Sequence, residues 1–396
     1  MEVKQGLDNQ FYKGGVAQED SIMVLTPDQE NAILAIMDWY SQRRRPGWRK
    51  YFTLAGAAGT GKSSLIQYVI ENLNIPKQDV LCCALTGKAT LNLKRKGNNG
   101  SNTLHSTIYD CAFTKDGYVF TKKDHINYRL IIIDEASMIS EEIFDDIMSF
   151  NIPAIFIGDH CQLPPINGDF NIMLKPDFTL HKIMRQAEKS PIIRASQLAI
   201  KGEPIPICRM EGFRRVRESD LTDDDFKWAD QIVCGFNKNR KILNSVCREI
   251  RGFKGYGPNY GERMVVLKNN RQFGVFNGQI IYVNSTPYFN SSDKLWSCKF
   301  LDELEYFGIQ ALMAQDKDMV YKLCDPPLTQ NKGNHSNPVY LDFGYVLSVH
   351  KAQGSGWNKV MIYEDGFGRD EETKRRWLYT AITRAKKEVL MVDVGK

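Results

Sequence analysis

The sequence predicts two parallel-sheet α/β domains, the first built around a phosphate-binding loop, with a β-rich segment inserted into the second. Three observations carry this. Residues Gly56 to Ser64 read GAAGTGKSS and lie between an apolar, β-prone run and a helical pattern. The apolar runs YFTLAG, VLCCAL, RLIIIDE and AIFIGD alternate with helical or loop segments through the first half of the chain. A second set, QIVCGF, MVVLK, YVLSVH, KVMIYED and VLMVDV, is spread through the second half. Strands alternating with helices imply a parallel sheet, and continuous apolar runs imply strands buried on both faces.

The first run, YFTLA, enters the glycine loop. The run SSLIQYVIENL follows it, with Leu65, Ile66, Val69 and Leu73 at helical spacing. A G-x-x-x-x-G-K-[ST] pattern between strand and helix is a phosphate cradle. Gly56, Ala57, Ala58, Gly59, Thr60, Gly61, Lys62, Ser63 and Ser64 are therefore the expected nucleotide-binding residues. Their N–H groups turn inward and the helix N-terminus adds partial positive charge. Lys62 is expected on the β- and γ-phosphates, and the Ser63 hydroxyl on Mg²⁺. The run RLIIIDEASM ends in Asp134 and Glu135, at the strand end where parallel sheets bind ligands. Asp134 is expected to hold the Mg²⁺ through a water, and Glu135 to orient or deprotonate the attacking water. The run AIFIGD brings GDHCQLPPI, Gly158 to Ile166, to the same edge. There the neutral amide of Gln162 can contact both the γ-phosphate and the attacking water, on a loop stiffened by Pro164 and Pro165.

A chain of 396 residues is long enough for two to four domains. Its net charge of +5 permits a nucleic-acid partner without demonstrating one. No apolar stretch approaches a membrane span, and the start, MEVKQGLDNQFYKGG, lacks the apolar core of a signal peptide. A cytoplasmic protein is expected, in a bacterial host if the chain is phage-encoded. The nine cysteines include no C-x-x-C pair and the six histidines show no metal-ligand spacing, which argues against a disulfide framework or a zinc site. RRRPGWRK, Arg43 to Lys50, reads as a solvated connector rather than a nucleic-acid patch. CAFTKDGYVFTK, Cys111 to Lys122, has two β-prone pieces about Asp116-Gly117 and reads as a hairpin. MEGFRRVRESDLTDDDFKWAD reads as a polar stretch between the two sets of runs. Residues of roughly 276–341, rich in Asn, Ser, Gly, Pro and Tyr, read as short strands and turns of a small barrel.

Taken in order, these motifs resemble those of the superfamily 1 helicases of the RecD-like group, above all its small phage members. LTPDQENAI resembles the Q motif, with Gln29 as adenine contact. GAAGTGKS resembles motif I, ALTGKAT motif Ia, TLHSTIY motif Ib, IIIDEASM motif II and GDHCQLPPI motif III. LHKIMRQAEKSPI resembles motif IV, with Arg185. YVLSVHKAQGSGWNKVMI resembles motif V, and LYTAITRAKKEVLMV motif VI, with Arg384. The resemblance implies two RecA-like domains: 22–198, carrying a hairpin insertion at about 104–128, and 199–275 with 342–396. A short extension at 1–21 would precede them, and 276–341 would form an SH3-like insertion. It also implies ATP and Mg²⁺ as cofactors, with Arg185 and Arg384 meeting the γ-phosphate as the domains close. Thr86, Thr103, His105, His350 and Lys351 would line a single-strand path. Phe113, Tyr118 and Phe120 would form the strand-separating pin on the hairpin. The implied activity is ATP-driven 5′ to 3′ movement on single-stranded DNA and unwinding of forked duplex. The protein would act as a monomer, with single-strand-binding or replication proteins as candidate partners, in replication, recombination or repair. On the residues alone, an RNA helicase or remodeller of the same superfamily, a phosphate-loop nucleotide kinase and a binding scaffold stay open. The intact Lys62, Ser63, Asp134 and Glu135 oppose the scaffold reading.

Overall fold

The structure is a computed structural model. It describes residues 25–86, 89–90, 93–94, 98, 100–114, 117–164, 170–183, 190–255, 257–267, 275, 277–290, 295–302, 309–314 and 339–395, with the backbone alone at 111–114, 117–120, 290, 295, 297, 302 and 309–314. Three six-stranded sheets and one two-stranded hairpin organise these residues. No helix among them is long and apolar enough to cross a membrane.

The chain enters through a helix at Pro27–Ser41, started by a capping box in which Thr26 and Gln29 satisfy each other's backbone N–H groups. Strands β1 (Tyr51–Gly56), β2 (Val80–Ala84) and β3 (Asn102–Thr103) follow, then the hairpin β4 (Tyr109–Thr114) and β5 (Gly117–Lys122), then β6 (Leu130–Asp134), β7 (Ala154–Gly158) and β8 (Phe178–Leu180). The first sheet has the order β3-β2-β6-β7-β1-β8, every pair parallel. The interior strands β2, β6 and β7 are buried at every position, which is what their unbroken apolar runs require. Helices Pro27–Ser41 and Leu65–Asn72 cover one face through Ile33, Ile36, Leu65 and Ile66. Ile147, of helix Glu141–Ser149, packs on the other. The register sets Ala84 beside Asp134 and Ala55 beside Gly158, so the phosphate loop, Asp134 and the Gly158 turn emerge at one edge.

The hairpin forms with Thr114 opposite Gly117, so Gly117 lies in β5 rather than in the turn. Its base rests on helix Glu141–Ser149. The Tyr109 hydroxyl donates to Asp146, and Lys122 Nζ donates to Ser149 Oγ at 2.7 Å. The connector at Arg43 to Lys50 is anchored by Trp48, whose indole donates to Trp39 O at 2.8 Å and whose ring lies 5.0 Å from that of Trp39.

Strands β9 (Cys208–Met210), β10 (Phe213–Arg217) and β11 (Gln231–Cys234) open the second half. Then come β12 (Arg263–Val266), β13 (Ile280–Val283), β14 (Tyr288–Asn290), β15 (Leu295–Asp302), β16 (Ile309–Ala314) and β17 (Leu341–Phe343), and finally β18 (Val346–Ser348), β19 (Trp357–Glu364) and β20 (Ala385–Asp393). The second sheet has the order β18-β11-β19-β20-β10-β9, parallel except for β9. The third, β14-β15-β13-β12-β17 with β16 on β15, is antiparallel throughout.

Two expectations are corrected here. The run MVVLK was placed among the parallel strands and outside the 276–341 insertion, but β12 pairs with β13 and β17 in the antiparallel sheet. A short run buried at every position reads alike in a parallel sheet and a barrel core, and only pairing separates them. The polar stretch contains β10, a strand parallel to β20. It buries only Phe213 and Val216 and spaces them with arginines, so no apolar run announces it. Gly344 joins the second and third sheets where a Cβ would stand 2.9 Å from the Met264 carbonyl carbon. The chain can pass there only without a side chain.

Phe156 lies fully buried in β7, with its ring 5.6 Å from Phe144 and 6.1 Å from Tyr51. Phe156→Ala leaves a cavity between sheet and helix and is expected to cost about 3–5 kcal/mol, seen as a lowered urea midpoint of the first domain.

Candidate active site at the meeting of the two parallel sheets

After β1 the chain turns through Gly59 and Gly61, at φ of +83° and +81°, into a 3₁₀ turn at Lys62–Ser64 and the helix Leu65–Asn72. Both glycines hold backbone angles that other residues rarely adopt. Thr60 is buried, and its hydroxyl donates to Ala57 O at 2.9 Å, which draws the loop into a ring. Lys62 reaches back into that ring. Its Nζ donates to Gly56 O at 2.5 Å and Ala57 O at 2.9 Å, and stands 3.9 Å from Asp159 Oδ2. Ser63 and Ser64 are half-buried at the start of the helix. Gln29 sits behind the loop with its amide in use. Oε1 accepts from Thr26 N–H at 3.0 Å and Nε2 donates to Thr60 O at 3.1 Å, so the residue ties the first helix to the phosphate loop.

At the end of β6, Asp134 is buried, and its Oδ1 accepts from Glu135 N–H at 2.9 Å. Glu135 itself is held at φ +56°, in the left-handed region where a residue other than glycine is strained. Burial pushes its carboxyl above the usual carboxylate range, and the neighbouring Asp134 adds to this. Arg384 and Lys62 oppose the shift, which locates both cations near Glu135. Gln162 is buried, and its Oε1 has no hydrogen-bond partner among the described residues. A buried amide oxygen left this way calls for a ligand or water.

The second half of the chain completes the site. Helix Glu371–Ile382 lays Tyr379, Arg376 and Thr380 over the loop that follows β7. The Tyr379 hydroxyl donates to Asp159 Oδ2 at 2.7 Å and accepts from Ala58 N–H at 2.7 Å. Arg376 donates to His160 O at 2.6 Å and Gln162 O at 3.2 Å, and Leu163 N–H donates to Thr380 Oγ1 at 3.0 Å. Gln353 Nε2 donates to Leu163 O at 3.0 Å. Arg384 is buried and held by Thr380 O, Ser355 O and Thr383 Oγ1 at 2.9, 3.1 and 3.1 Å. No carboxylate pairs with it directly among the described residues, which leaves its charge available to an incoming anion.

The structure thus gathers Gln29, Gly56 to Ser64, Lys62, Asp134, Glu135, Gln162 and Arg384 about one position. Arg185 lies outside the described residues. Sequence reasoning missed Asp159, Gln353, Arg376, Tyr379 and Thr380. All but Arg376 stood inside quoted motifs, but which groups they would meet depends on how the second domain docks. Asp159, His160 and Cys161 also bring one ligand atom each within 4.8 Å of one another, although Asp159 is already engaged by Tyr379 and by Cys161 N–H.

The five expected strand contacts are all half-buried. Thr86 accepts from Ala89 N–H at 3.2 Å and faces Gly354, where a Cβ would lie 2.8 Å from its hydroxyl. Thr103 caps helix Leu104–Ile108, and the ring of His105 lies 5.7 Å from that of Tyr109. His350, on helix Val349–Ala352, stands edge-on to Phe367 at 5.4 Å, and burial lowers its pKa. Lys351 is next to it. Phe113, Tyr118 and Phe120 lie on the hairpin strands, but their side chains are outside the described residues.

Residues 25–220 match a model described as an AAA domain, and residues 343–392 match one described as a UvrD-like helicase C-terminal domain. The chain is 24% identical to the ATP-dependent RecD2 DNA helicase of Deinococcus radiodurans over 84% of its own length and 45% of that protein's. It is 29% identical to the ATP-dependent DNA helicase dda of Enterobacteria phage T4 over 43% of its own length and 40% of that protein's. The chain therefore spans less than half the length of these two relatives. It shares its fold with the Pif1 helicase from Bacteroides in complex with ADP-AlF3 and ssDNA, with a TM-score of 0.54, 18% identity, and coverage of 94% of this chain and 93% of that one. The two matched domains, in this order on two parallel sheets, and the similarity to RecD2 and dda support a superfamily 1 helicase of the RecD/Pif1-like group, related to dda.

Proposed function

We propose that the protein is an ATP-dependent DNA helicase that moves 5′ to 3′ on single-stranded DNA and opens forked duplex, acting as a monomer. The observation that carries this is Arg384. A buried guanidinium, held by carbonyl and hydroxyl oxygens of the second domain, acts electrostatically on Glu135 of the first. A cation placed across an interface stabilises a transferring phosphoryl group only when the two domains meet. That links hydrolysis to domain closure, as a motor requires. RecD2 and dda are ATP-dependent DNA helicases, and the Pif1 structure holds ADP-AlF3 and ssDNA. These relatives support DNA as the track and ATP as the fuel.

In this reading the phosphate-loop amides and Lys62 bind the β- and γ-phosphates. Ser63, and Asp134 through a water, would hold Mg²⁺, which would supply positive charge beside the phosphates. Gln162 orients the attacking water through its unpartnered Oε1, Glu135 accepts the proton, and Arg384, with Arg185, meets the γ-phosphate. Gln29 serves the site by bracing the loop at Thr60. Thr86, Thr103, His105, His350 and Lys351 grip the strand, and the β4–β5 hairpin, braced on helix Glu141–Ser149, parts the duplex with an aromatic from Phe113, Tyr118 or Phe120.

Hydrolysis and unwinding assays on forked DNA and RNA with 5′ or 3′ tails test the function. Strand-stimulated hydrolysis with unwinding only of 5′-tailed DNA is expected. Unwinding from 3′ tails would overturn the polarity, preference for RNA the track, and hydrolysis without strand stimulation the motor itself. Arg384→Ala is expected to bind nucleotide yet lose about 10³-fold or more of strand-stimulated turnover, in the range of arginine fingers, measured by steady-state kinetics. Glu135→Gln is expected to slow hydrolysis by about 10²–10⁴-fold. The same substitution tests the raised pKa. A folded-state pKa above the unfolded one favours folding while the group is protonated, and that contribution is lost as pH rises. The nucleotide-free Glu135→Gln protein should therefore melt above the parent at pH 7–8, and the gain should shrink as pH falls through the carboxylate range.

A further inference from the structure

Tyr379 joins the phosphate loop, the loop after β7 and the second domain in a single hydrogen-bonded unit. Its ring is buried, and its hydroxyl uses both its proton and a lone pair, donating to Asp159 Oδ2 and accepting from Ala58 N–H, each at 2.7 Å. Asp159 is buried as well and faces Lys62 at 3.9 Å. A phenol in this position does more than fill space. It fixes the direction of a phosphate-loop amide and orients the carboxylate that sits opposite the loop's lysine. The helix that carries it also carries Arg376 and Thr380, both bonded to the His160–Leu163 backbone. Gln353, which grips Leu163 O, stands two residues after Lys351.

We propose that Tyr379 is a positioning residue through which phosphate-loop occupancy sets how tightly the second domain grips a strand. The inference rests on the helicase reading. Phosphate entering the loop draws Lys62 away from Gly56 O and Ala57 O, and Asp159 and Ala58 N–H rearrange about the shared hydroxyl. The helix behind Tyr379 moves with that hydroxyl, and the His350–Gln353 segment moves with the loop it grips. Removing the hydroxyl leaves the ring packed and cuts this connection.

The test compares single-strand dissociation constants with and without a non-hydrolysable ATP analogue and Mg²⁺, using a fluorescent oligodeoxythymidine. In the parent protein the analogue is expected to change strand affinity by about 5–150-fold, the usual range for coupled sites. In Tyr379→Phe the change is expected to fall below about twofold, with a melting temperature close to the parent's. A purely space-filling tyrosine is replaced by phenylalanine without effect on this ratio, so an unchanged ratio overturns the proposal. Asp159→Asn supplies a second variant should the phenylalanine protein fold poorly. It should lose the same coupling, and the double variant should be no worse than the more affected single one, since both cut one connection. Additive losses would overturn the shared unit. If the parent protein itself shows no nucleotide-dependent strand affinity, the helicase reading fails and this inference with it. If the parent shows coupling and both variants keep it, only this inference fails.

Discussion

The loop from Gly158 to Leu163 leaves the carboxyl edge of the first parallel sheet and ends beneath a helix of the second. How that loop is held places Asp159 and Gln162 and ties the first sheet to the second. Asp159 turns inward to Lys62 and Tyr379, and Gln162 lies buried with its amide oxygen unpartnered. The backbone between them is gripped by Arg376, Thr380 and Gln353. A loop of this kind in water would offer its polar groups to solvent. Here the second domain bonds the backbone of His160, Gln162 and Leu163, and the buried Gln162 Oε1 keeps no partner among the described residues.

The electrostatics follow from the same closure. Excluding water makes each charge in the cleft act more strongly on the others. Glu135 has its carboxyl raised by burial and by Asp134, while Lys62 and Arg384 pull in the opposite direction. Such a site is poorly satisfied by itself, and the strained backbone at Glu135 adds to this. Stability is supplied elsewhere, by the fully buried strands of both sheets and by a continuous apolar cluster that runs from Leu163 through Val233, Val360 and Trp377. That cluster welds the motif-bearing loop to the second domain, so core packing and site geometry are one structure rather than two.

The phosphate loop, the carboxylate pair and the strand runs were legible because each is a local pattern with a local cause. Glycines at positive φ, a lysine one residue later and a strand ending in Asp134 announce themselves within a few residues. The β12 run was legible as a strand but not as to sheet. The β10 run was hidden by its arginines, since an edge-side strand need bury only Phe213 and Val216. Gln29 was expected to contact adenine, and in this conformation its amide braces Thr60 and Thr26.

Sequence alone determined the parallel strand order's raw material, the phosphate cradle and the cation and carboxylates of the chemistry, because hydrophobic periodicity and glycine conformation act over short stretches. Tertiary structure decided which distant groups meet. Tyr379 and Ala58 are bonded across more than 300 residues of chain, and Leu163 meets Thr380 and Gln353 in the same way. No local pattern encodes such pairs. They exist because two separate sheets bury their facing surfaces against each other, and the hydrogen bonds form wherever that packing leaves a donor opposite an acceptor.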